Sequence, residues 1–449
     1  MSACVADLPE LRHEAELATV AGLGDAVVFR HEGDAPDAPP PGMAPADASP
    51  TLSLVEAVQR AVSTDAGLQA ALARVQMARA EAEQARTLPN PAFEFVLRWG
   101  KRQNQIEMSI AQSLLAVLQR PWRAEIADDA LRAAAEQALA FGLDVVHAIG
   151  ACYAKVQAAD LRVQQLTAQL ALFDDVVAVA ESRVAHGLAG RDELDGLAAE
   201  RLRTTVELGS AQRQQRELRL ELARRIGEPS GAAAWQLDVW CAPTADGTRA
   251  ADERGWLEAA FANRPELRAL RWQLAALDDE HSLAWWAPWQ DAAIGANVQK
   301  QPTWIGGPVL SVPVPLFDRG EATAERVTAE QSEVRHRLTE CSRLVIEDVR
   351  NAYASFVLLQ QDVERVRSQL LPTLVARHQR LEAARRHGQV DTTAVLDVRQ
   401  QQLQAEAQAL SLELEATLAL LRLQRAAATT QPVADPTSRN TPDDGAEER

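Results

Sequence analysis

Residues 290–331 read QDAAIGANVQKQPTWIGGPVLSVPVPLFDRGEATAERVTAEQ, and this stretch decides the fold. Two runs in it, Ala292–Val298 and Val309–Val314, are small, β-branched and apolar, and a polar tip containing Gly, Pro and Trp joins them. This pattern predicts a β-hairpin with a loose loop. Pro313 and Pro315 end the predicted ladder, because proline has no N–H to donate. The Ala- and Glu-rich sequence that follows is typical of a very long helix.

The chain carries this arrangement twice. Matching residues lie about 200 positions apart: Leu68 and Leu267, Pro89 and Pro288, Tyr153 and Tyr353, Leu170 and Leu370, and His186-Gly187 and His387-Gly388. The shift is 199 for the first two pairs, 200 for the next two and 201 for the last. Self-similarity at a fixed spacing indicates a tandem repeat. Each half is therefore predicted to hold a moderate helix, a β-hairpin, a very long helix, a glycine turn and a second long helix.

This repeat divides the chain into five predicted segments. A Pro/Ala/Asp tract before the first repeat and a polar tail after the second cannot form a packed core, so both are expected to be disordered. The segments are a leader or linker (1–50), a first repeat (51–228, hairpin near 92–115), a connector with one short strand (229–253), a second repeat (254–428, hairpin near 291–316) and a tail (429–449).

Composition excludes several classes of protein. The net charge of −17 and the pI near 5.0 argue against nucleic-acid binding, which needs a basic surface. No run of 18 apolar residues occurs, so no transmembrane helix is expected, although the short strands of a membrane barrel escape that test. The sequence lacks a P-loop and the H-E-x-x-H and G-x-S-x-G motifs, so we expect neither an enzyme nor a cofactor.

Both arms of the first hairpin alternate apolar and polar residues. Phe93, Phe95, Leu97 and Trp99 alternate with polar neighbours in one arm, and Ile106, Met108 and Ile110 do so in the other. Period-2 alternation predicts strands with one apolar and one polar face. Each arm has about the ten residues that a tilted strand needs to cross a bilayer. The alternative is an ordinary amphipathic hairpin on a soluble core.

Proline and tryptophan mark the junctions between strands and helices. The prolines are Pro89, Pro91, Pro121, Pro288, Pro313 and Pro315. Tryptophans fall at two levels, with Trp99 and Trp304 at the hairpin tips and Trp122, Trp285, Trp286 and Trp289 at the helix ends. Two aromatic girdles flanking an apolar band are typical of a membrane barrel.

The long helices carry the pattern of a coiled coil. The segment Arg123–His186 has no internal proline, and as a helix it would be about 100 Å long. A heptad seam follows Gly388: Val395, Val398, Gln402, Ala405, Ala409, Leu412, Ala416, Ala419, Leu423 and Ala426. The seam after Gly187 is more polar: Leu194, Leu197, Arg201, Thr204, Leu208, Ala211, Gln215, Leu218 and Leu222. Mixed seams suit helices in a wall that is wetted on one side.

The amino terminus supports two readings. It lacks the basic and apolar regions of a secretory signal, but Met1-Ser2-Ala3-Cys4 resembles the end of a bacterial lipobox. On that reading Cys4 is the lipidated residue and the true start lies upstream. On the other, the protein starts in the cytoplasm with an incidental cysteine. Cys152, Cys241 and Cys341 show no metal or redox spacing.

In their order and repetition, four pieces resemble the TolC family of outer-membrane efflux proteins: LSLVEAVQRAV with LQAALARVQMARAEAEQARTLPNP, then VLSVPVPLFDRG, then the tips AHGLAGRDELDGL and RHGQVDTTAVLDV. The resemblance covers roughly residues 51–427. It implies a mainly α fold with a small β part. In that fold the duplicated coiled-coil helices form an α-barrel, and two hairpins contribute four strands to a trimeric 12-stranded outer-membrane β-barrel. The PLFDRG junction resembles the CzcC/CusC-like heavy-metal-efflux branch.

The resemblance also implies a function, partners and sites. It implies a homotrimeric duct of a tripartite efflux system, embedded in outer-membrane lipid with a periplasmic extension. Its partners would be a periplasmic adaptor (membrane fusion) protein at the Gly187 and Gly388 tips and an inner-membrane pump of the RND type. Asp397 matches an acidic aperture position. The second acidic position is Ala394 here, which puts a double ring in doubt, and Glu193 and Asp195 lie near the first tip without a firm match.

Three alternatives stay open at this point. His186 and His387 beside the tip glycines invite a metal-handling role, whereas solvated tip residues are the simpler interpretation. A type I secretion exit duct has the same build. A soluble coiled-coil scaffold would explain the long helices, but not two hairpins framed by proline and tryptophan.

Overall fold

The computed structural model describes residues 7–21, 27–30, 51–99, 104–187, 190–229, 233–240, 252–300, 303–387, 389–390 and 392–429. The predicted lipidation residue Cys4, the second tip glycine Gly388 and the tail beyond residue 429 lie outside these residues. The chain divides into two compact units. Unit 1 comprises residues 1–16, 67–141 and 264–344, and unit 2 comprises residues 17–66, 142–263 and 345–449.

The protein is mainly helical with a small sheet. In chain order the elements are α1 (His13–Ala21), β1 (Thr51–Leu52), α2 (Leu54–Thr64), α3 (Ala66–Ala85), β2 (Ala92–Trp99), β3 (Asn104–Ser113), α4 (Leu114–Leu118), α5 (Arg120–Ala185), α6 (Arg191–Arg225), β4 (Gln236–Leu237), α7 (Glu253–Asn263), α8 (Pro265–Ala284), β5 (Ala293–Lys300), β6 (Trp304–Ser311), α9 (Glu321–Arg365), α10 (Leu371–Arg386) and α11 (Thr392–Ala427). A π turn, Val366–Leu370, lies between α9 and α10.

Unit 1 contains a four-stranded antiparallel sheet in the order β2-β3-β5-β6. Both predicted hairpins form, and β3 pairs with β5 to join the hairpin of one repeat to that of the other. The predicted bounds of the last strand were wrong. It runs from Trp304 to Ser311 rather than from Val309 to Val314. Pro308 is tolerated inside it because β6 is an edge strand, where half of the N–H groups face no partner strand.

The helices of unit 1 are held by specific polar contacts. The Arg86 guanidinium binds Asp128 at 2.6 Å, which joins α3 to α5. Gln331 on α9 donates to the Leu277 carbonyl at 3.2 Å and to Asp278 at 3.0 Å, which joins α9 to α8. These buried or half-buried contacts fix the helices that lead into and out of the strands.

Unit 2 contains the helical hairpins and a two-stranded parallel pair. β1 pairs with β4, and the Tyr153 hydroxyl on α5 donates to the Leu52 carbonyl at 2.7 Å while accepting from the Asp238 N–H at 2.9 Å. Burial and the neighbouring Asp238 carboxylate raise the pKa of Tyr153, so this phenol stays protonated and keeps its bond to Leu52. The connector after the first repeat is thereby fixed on α5, with the short strand that its sequence predicted.

The repeat shows in a break that sequence periodicity did not predict. One helix of moderate length was predicted before each hairpin. Ser53 does cap α2, accepting from the Glu56 N–H at 3.2 Å, but the helix stops at Asp65 and restarts as α3. The second repeat breaks between α7 and α8 at Arg264, again 199 positions on. Equivalent breaks in both halves belong to the repeated fold.

The predicted disordered leader is wrong for residues 13–21, which form α1. Leu17 is fully buried and Ala18 and Ala21 are nearly so. The Leu17 side chain fills the space beside Gly142 on α5. A Cβ at position 142 would lie only 2.0 Å from Leu17 Cδ2. Only glycine leaves room for this contact. The small apolar residues of α1 were hidden in sequence by the Pro/Asp-rich tract that follows them.

Among the described helices, α5 alone is long and apolar enough to cross a membrane by length and composition. Its most apolar window has a mean hydropathy of 1.4, but 56% of that window is buried inside the protein. The small apolar residues on α5, such as Ala138, Ile149 and Val156, are buried packing residues. The sequence expectation missed this window because it is interrupted by polar residues.

Candidate functional site

The first tip lies between α5 and α6. Gly187 has a φ of 71°, a left-handed conformation that glycine adopts without strain, and its N–H donates to the Val184 carbonyl at 3.0 Å. His186 Nδ1 lies 2.7 Å from the Ser182 carbonyl, so this ring nitrogen is bonded to its own helix end. A Cβ at Gly187 would contact nothing, so its surroundings are open.

The second tip lies between α10 and α11. The His387 N–H donates to the Ala384 carbonyl at 3.2 Å, and the Gln389 N–H donates to the same carbonyl at 3.0 Å. These bonds close the last turn of α10 at the position that matches the end of α5. Gly388 is outside the described residues, so its role as the second tip stays a prediction.

Asp397 is exposed near the start of α11. It accepts a hydrogen bond from Gln401 Nε2 at 3.0 Å, one helical turn along. Its neighbours Val395 and Val398 are buried in the seam, so packing fixes the direction in which the carboxylate points. Near the first tip, Asp195 is exposed, whereas Glu193 binds Arg183 at 3.2 Å. Asp397 and Asp195 thus leave free charge at the surface, and Glu193 does not.

The second helices of the two hairpins meet near these carboxylates. Gln400 Nε2 on α11 donates to Glu200 Oε1 on α6 at 2.7 Å, which joins the second helices of the two hairpins. Glu200 also binds Arg203 at 2.9 Å. The second helices of the two repeats therefore lie side by side at this level.

One face of the sheet is mainly apolar, whereas the other carries polar residues together with the apolar Ile305 and Val309. The cross-strand register puts the following residues on one face: Phe93, Phe95, Leu97, Trp99, Ile106, Met108, Ile110, Ile294, Val298, Trp304 and Leu310. Several are highly exposed, with Phe93 at 67% and Leu310 at 65%. On the other face Glu107 accepts from Asn297 Nδ2 at 2.9 Å and lies 3.6 Å from Arg98. An exposed apolar face this extensive indicates a surface that is covered by lipid or protein.

No protein-family model and no curated protein matches the sequence. Solved structures match the fold. The outer-membrane channel OprN gives a TM-score of 0.68 at 18% identity, covering 83% of this chain and 89% of that one. The outer-membrane protein VceC of Vibrio cholerae gives 0.68 at 17% identity, covering 84% and 96%. CusC, described for transmembrane channel formation, gives 0.66 at 16% identity, covering 83% and 91%.

The chain has the fold of these outer-membrane channels. The predicted resemblance is thereby confirmed at the level of fold. The CusC-like branch is not singled out, because the TM-score for CusC is no higher than those for OprN and VceC. OprN and CusC are described as channels, and VceC is described as an outer-membrane protein.

In this channel fold, the α11 seam departs from its prediction at one position. Val395, Val398, Ala405, Ala409, Ala416, Ala419, Leu423 and Ala426 are buried as expected. Leu412, however, is only half-buried, and the neighbouring Glu413 is 2% exposed. Arg367 Nε donates to Glu413 Oε1 at 2.6 Å, and Trp240 Nε1 donates to Oε2 at 3.1 Å. Both carboxylate oxygens are satisfied, which is what a buried charge requires.

Sequence reasoning missed Glu413 because a carboxylate beside a heptad position is normally solvated. Two signals were available. Pro372 has no counterpart in the first repeat, and the repeat shift changes from 200 to 201 between Leu370 and His387. Both signals point to the π turn that carries Arg367.

Two half-buried groups on α5, Glu136 and His147, have shifted pKa values. Desolvation raises the pKa of Glu136 to about 7, with Arg268 opposing the shift and Glu16 adding to it. Desolvation and the Arg425 charge lower the pKa of His147 to about 4, against the opposing effect of Asp144. Neither ring nitrogen of His147 has a hydrogen-bond partner. Among the described residues, no cluster that could bind a metal surrounds either group.

Proposed function

We propose that the protein is the outer-membrane channel of a tripartite efflux system, a passive duct that exports small molecules or metal ions from periplasm to exterior. The observation that carries the proposal is the fold, shared with outer-membrane channels over more than four-fifths of the chain. The exposed apolar face of the sheet supports it, because soluble proteins rarely expose so large an apolar surface.

The sheet supports a homotrimer. Within the described sheet, β2 and β6 are the edge strands, so each leaves a row of backbone donors and acceptors open. Lipid does not tolerate such edges, because no water is present to satisfy them. Three copies of a four-stranded sheet would close a 12-stranded barrel, with the apolar face toward outer-membrane lipid and the Glu107 face toward the lumen.

The helical hairpins are the proposed partner sites. A periplasmic adaptor (membrane fusion) protein would engage the Gly187 and Gly388 tips, and an inner-membrane pump of the RND type would supply the energy. The chain itself would have no catalytic role and no cofactor. The exposed surroundings of Gly187 support docking there, since nothing in the described chain covers it.

Asp397 is the proposed aperture residue. Its exposure, with buried Val395 and Val398 on either side, would project three carboxylates per trimer into a closed coiled-coil end. A ring of carboxylates favours cations. In planar lipid bilayers, the purified wild-type protein should give step-like, cation-preferring conductance. Asp397→Ala should raise conductance or weaken the cation preference.

The matched control is Asp175→Ala, which removes an exposed carboxylate on α5 away from the tip. It should conduct like the wild type. Identical conductance and preference in Asp397→Ala would remove Asp397 from the aperture, and the absence of any conductance from the wild type would contradict the duct itself.

Metal ions are one proposed cargo, but the tip histidines need not handle them. His186 is bonded to the Ser182 carbonyl, which ties one ring nitrogen to the helix. Replacing His186 and His387 together with alanine should leave metal resistance unchanged in a strain that depends on this protein. A loss of resistance would assign them a metal role.

Location in the outer membrane is proposed together with lipidation of Cys4. The type I secretion exit duct shares the fold and differs in its partners, so co-purification of the pump separates the two functions.

Substitutions on the two faces of the sheet distinguish the duct from a soluble scaffold. Val298→Lys on the apolar face should lower the amount in the outer-membrane fraction, because a charge facing lipid costs about 2–4 kcal/mol at mid-bilayer. Its neighbour on the polar face, Gln299→Lys, should be tolerated, and equal tolerance of both would favour the scaffold.

A further inference from the structure

The long helix of the second repeat is interrupted where that of the first is not. α5 runs unbroken from Arg120 to Ala185, whereas α9 and α10 are separated by the π turn Val366–Leu370. The Leu371 N–H donates to the Val366 carbonyl, five residues back. Pro372 explains the turn, because it has no N–H and its ring would clash with the carbonyl four residues back in a regular helix. The wider turn relieves that clash.

The π turn adds one residue to the second repeat. At the first residue of the turn, buried Val366 matches buried Leu166 at a shift of 200. Downstream, buried Phe173 matches buried Leu374 at a shift of 201. The extra residue is absorbed in the turn, so the helix returns to the same packing surface after it. This is the physical reason for the change in shift along the sequence.

A buried ion pair fastens the π turn to α11. Arg367, in the turn, is 52% exposed at its side chain, whereas Glu413 is 2% exposed and is reached by Arg367 at 2.6 Å. The second donor to Glu413, Trp240 Nε1, comes from the connector between the repeats. Three segments of the chain therefore converge on one buried carboxylate.

The first repeat has no such contact at the matching positions. Arg367 corresponds to Thr167 and Glu413 corresponds to Gln212, and both of these residues are exposed. The Thr167 hydroxyl donates to the Val163 carbonyl on its own helix. Within the part of the chain that the structure describes, the ion pair and the π turn thus occur together, in the second repeat.

These features give the second hairpin a bending point. At a π turn the regular ladder of i→i−4 bonds is already broken, so bending there disrupts fewer bonds than bending inside α5. The opposing force is the buried carboxylate. If Arg367 and Trp240 move away, Glu413 is left desolvated and unpaired, which is strongly unfavourable.

We propose that the π turn Val366–Leu370 is a hinge for α10, and that the contact of Arg367 and Trp240 with Glu413 is the latch that keeps it closed. The inference rests on the proposed function, since a closed duct needs a movement that opens it. Because Trp240 belongs to the connector, the latch also links movement of the connector to movement of the second hairpin. Release of the latch frees α10 to bend away from α11.

Hydrogen exchange of the full-length protein in detergent tests the latch. Glu413→Gln keeps the shape but removes the charge. Amides of residues 366–374 should then exchange at least about tenfold faster, the amount expected from losing a charge-assisted bond. Amides of residues 166–174 should be unchanged. Trp240→Phe keeps the ring but removes one donor, so it should give a smaller increase in the same segment.

Thr167→Ala with Gln212→Ala is the matched control in the first repeat and should change neither segment. Unchanged exchange at residues 366–374 in both Glu413→Gln and Trp240→Phe would overturn the latch. An equal increase in both segments would show general loosening and would also overturn it. Trp240→Phe decides alone if Glu413→Gln fails to fold.

Hydrogen exchange tests the latch and conductance tests the duct, so the two can fail separately. If the wild type conducts, Glu413→Gln should also spend more time in high-conductance states. If the wild type does not conduct but Glu413→Gln still accelerates exchange at the π turn, the latch stands and the duct fails. If the wild type conducts and exchange does not respond, the duct stands and the latch fails.

Discussion

The two repeats differ in their long helices. In the first, a 66-residue helix continues without a break to the tip. In the second, α9 ends at Arg365, a π turn inserts one residue, and α10 continues to Arg386. The sheet shows no comparable difference, since both hairpins contribute two paired strands. The two repeats therefore have similar strands, whereas their long helices differ.

The largest expected difference between the repeats comes from the buried charge. Arg367→Leu leaves Glu413 desolvated with a single neutral donor, which should cost about 3 kcal/mol of stability. Thr167→Leu, at the matching exposed position, should be close to neutral. The measurement is the apparent midpoint of thermal unfolding by circular dichroism in detergent at one scan rate. Similar midpoints for the two variants would contradict the asymmetry.

A second difference lies where the amino-terminal segment packs on the first repeat. Gly142→Ala should cost about 2 kcal/mol, because the new Cβ would overlap Leu17. The matched control is Gly196→Ala on α6, where a Cβ meets nothing within 4 Å, and it should stabilise by up to about 1 kcal/mol. The second repeat has Ser342 at the position that matches Gly142. Tolerance of Gly142→Ala would mean that α1 does not dock as described.

The pH dependence of stability should also differ between repeats. The pKa of His147 is lowered from 6.5 to about 4, so the folded protein binds fewer protons there than the unfolded chain. Its stabilising contribution is present above pH 6.5 and is lost as the pH falls towards 4. The matching residue of the second repeat, Glu347, is exposed. His147→Leu should therefore reduce the drop in the thermal unfolding midpoint between pH 7 and pH 5.

Glu136 should act in the opposite direction. Its pKa is raised from 4.5 to about 7, so the folded protein binds more protons than the unfolded chain between these values. Its contribution is present below pH 4.5 and is lost as the pH rises through 7. Glu136→Gln should remove this loss of stability. The effect should be smaller than that of His147, because Arg268 and solvent screen the Glu136 charge. An unchanged pH profile in either variant would contradict the burial of that side chain.

Much of the fold could be predicted because it rests on periodic patterns. Alternation in Phe93–Trp99 predicted a strand, and the alanine-rich seam predicted most of the buried positions on α11. The repeat itself followed from pairs such as Tyr153 and Tyr353. These patterns reflect average burial over many residues, so single departures do not obscure them.

The rest depends on individual contacts. Two such contacts are the packing of Leu17 against Gly142 and the binding of Glu413 by Arg367 and Trp240. Each joins residues far apart in the sequence, so no local pattern predicts it. For the candidate site, Asp397 is exposed and Gly187 has a left-handed backbone conformation, and their aperture and docking roles stay predictions. The sequence did not show that Glu193 is paired with Arg183.

The mass of the native particle tests the central claim most directly. The protein would be expressed from its native upstream DNA, extracted from the outer-membrane fraction in mild detergent and weighed by native mass spectrometry. The account predicts a complex of three chains, each close to 48.9 kDa before any lipid on Cys4 is added. A single 48.9 kDa chain recovered from the soluble fraction would contradict it, because four strands with two open edges could not then form the wall of an outer-membrane duct.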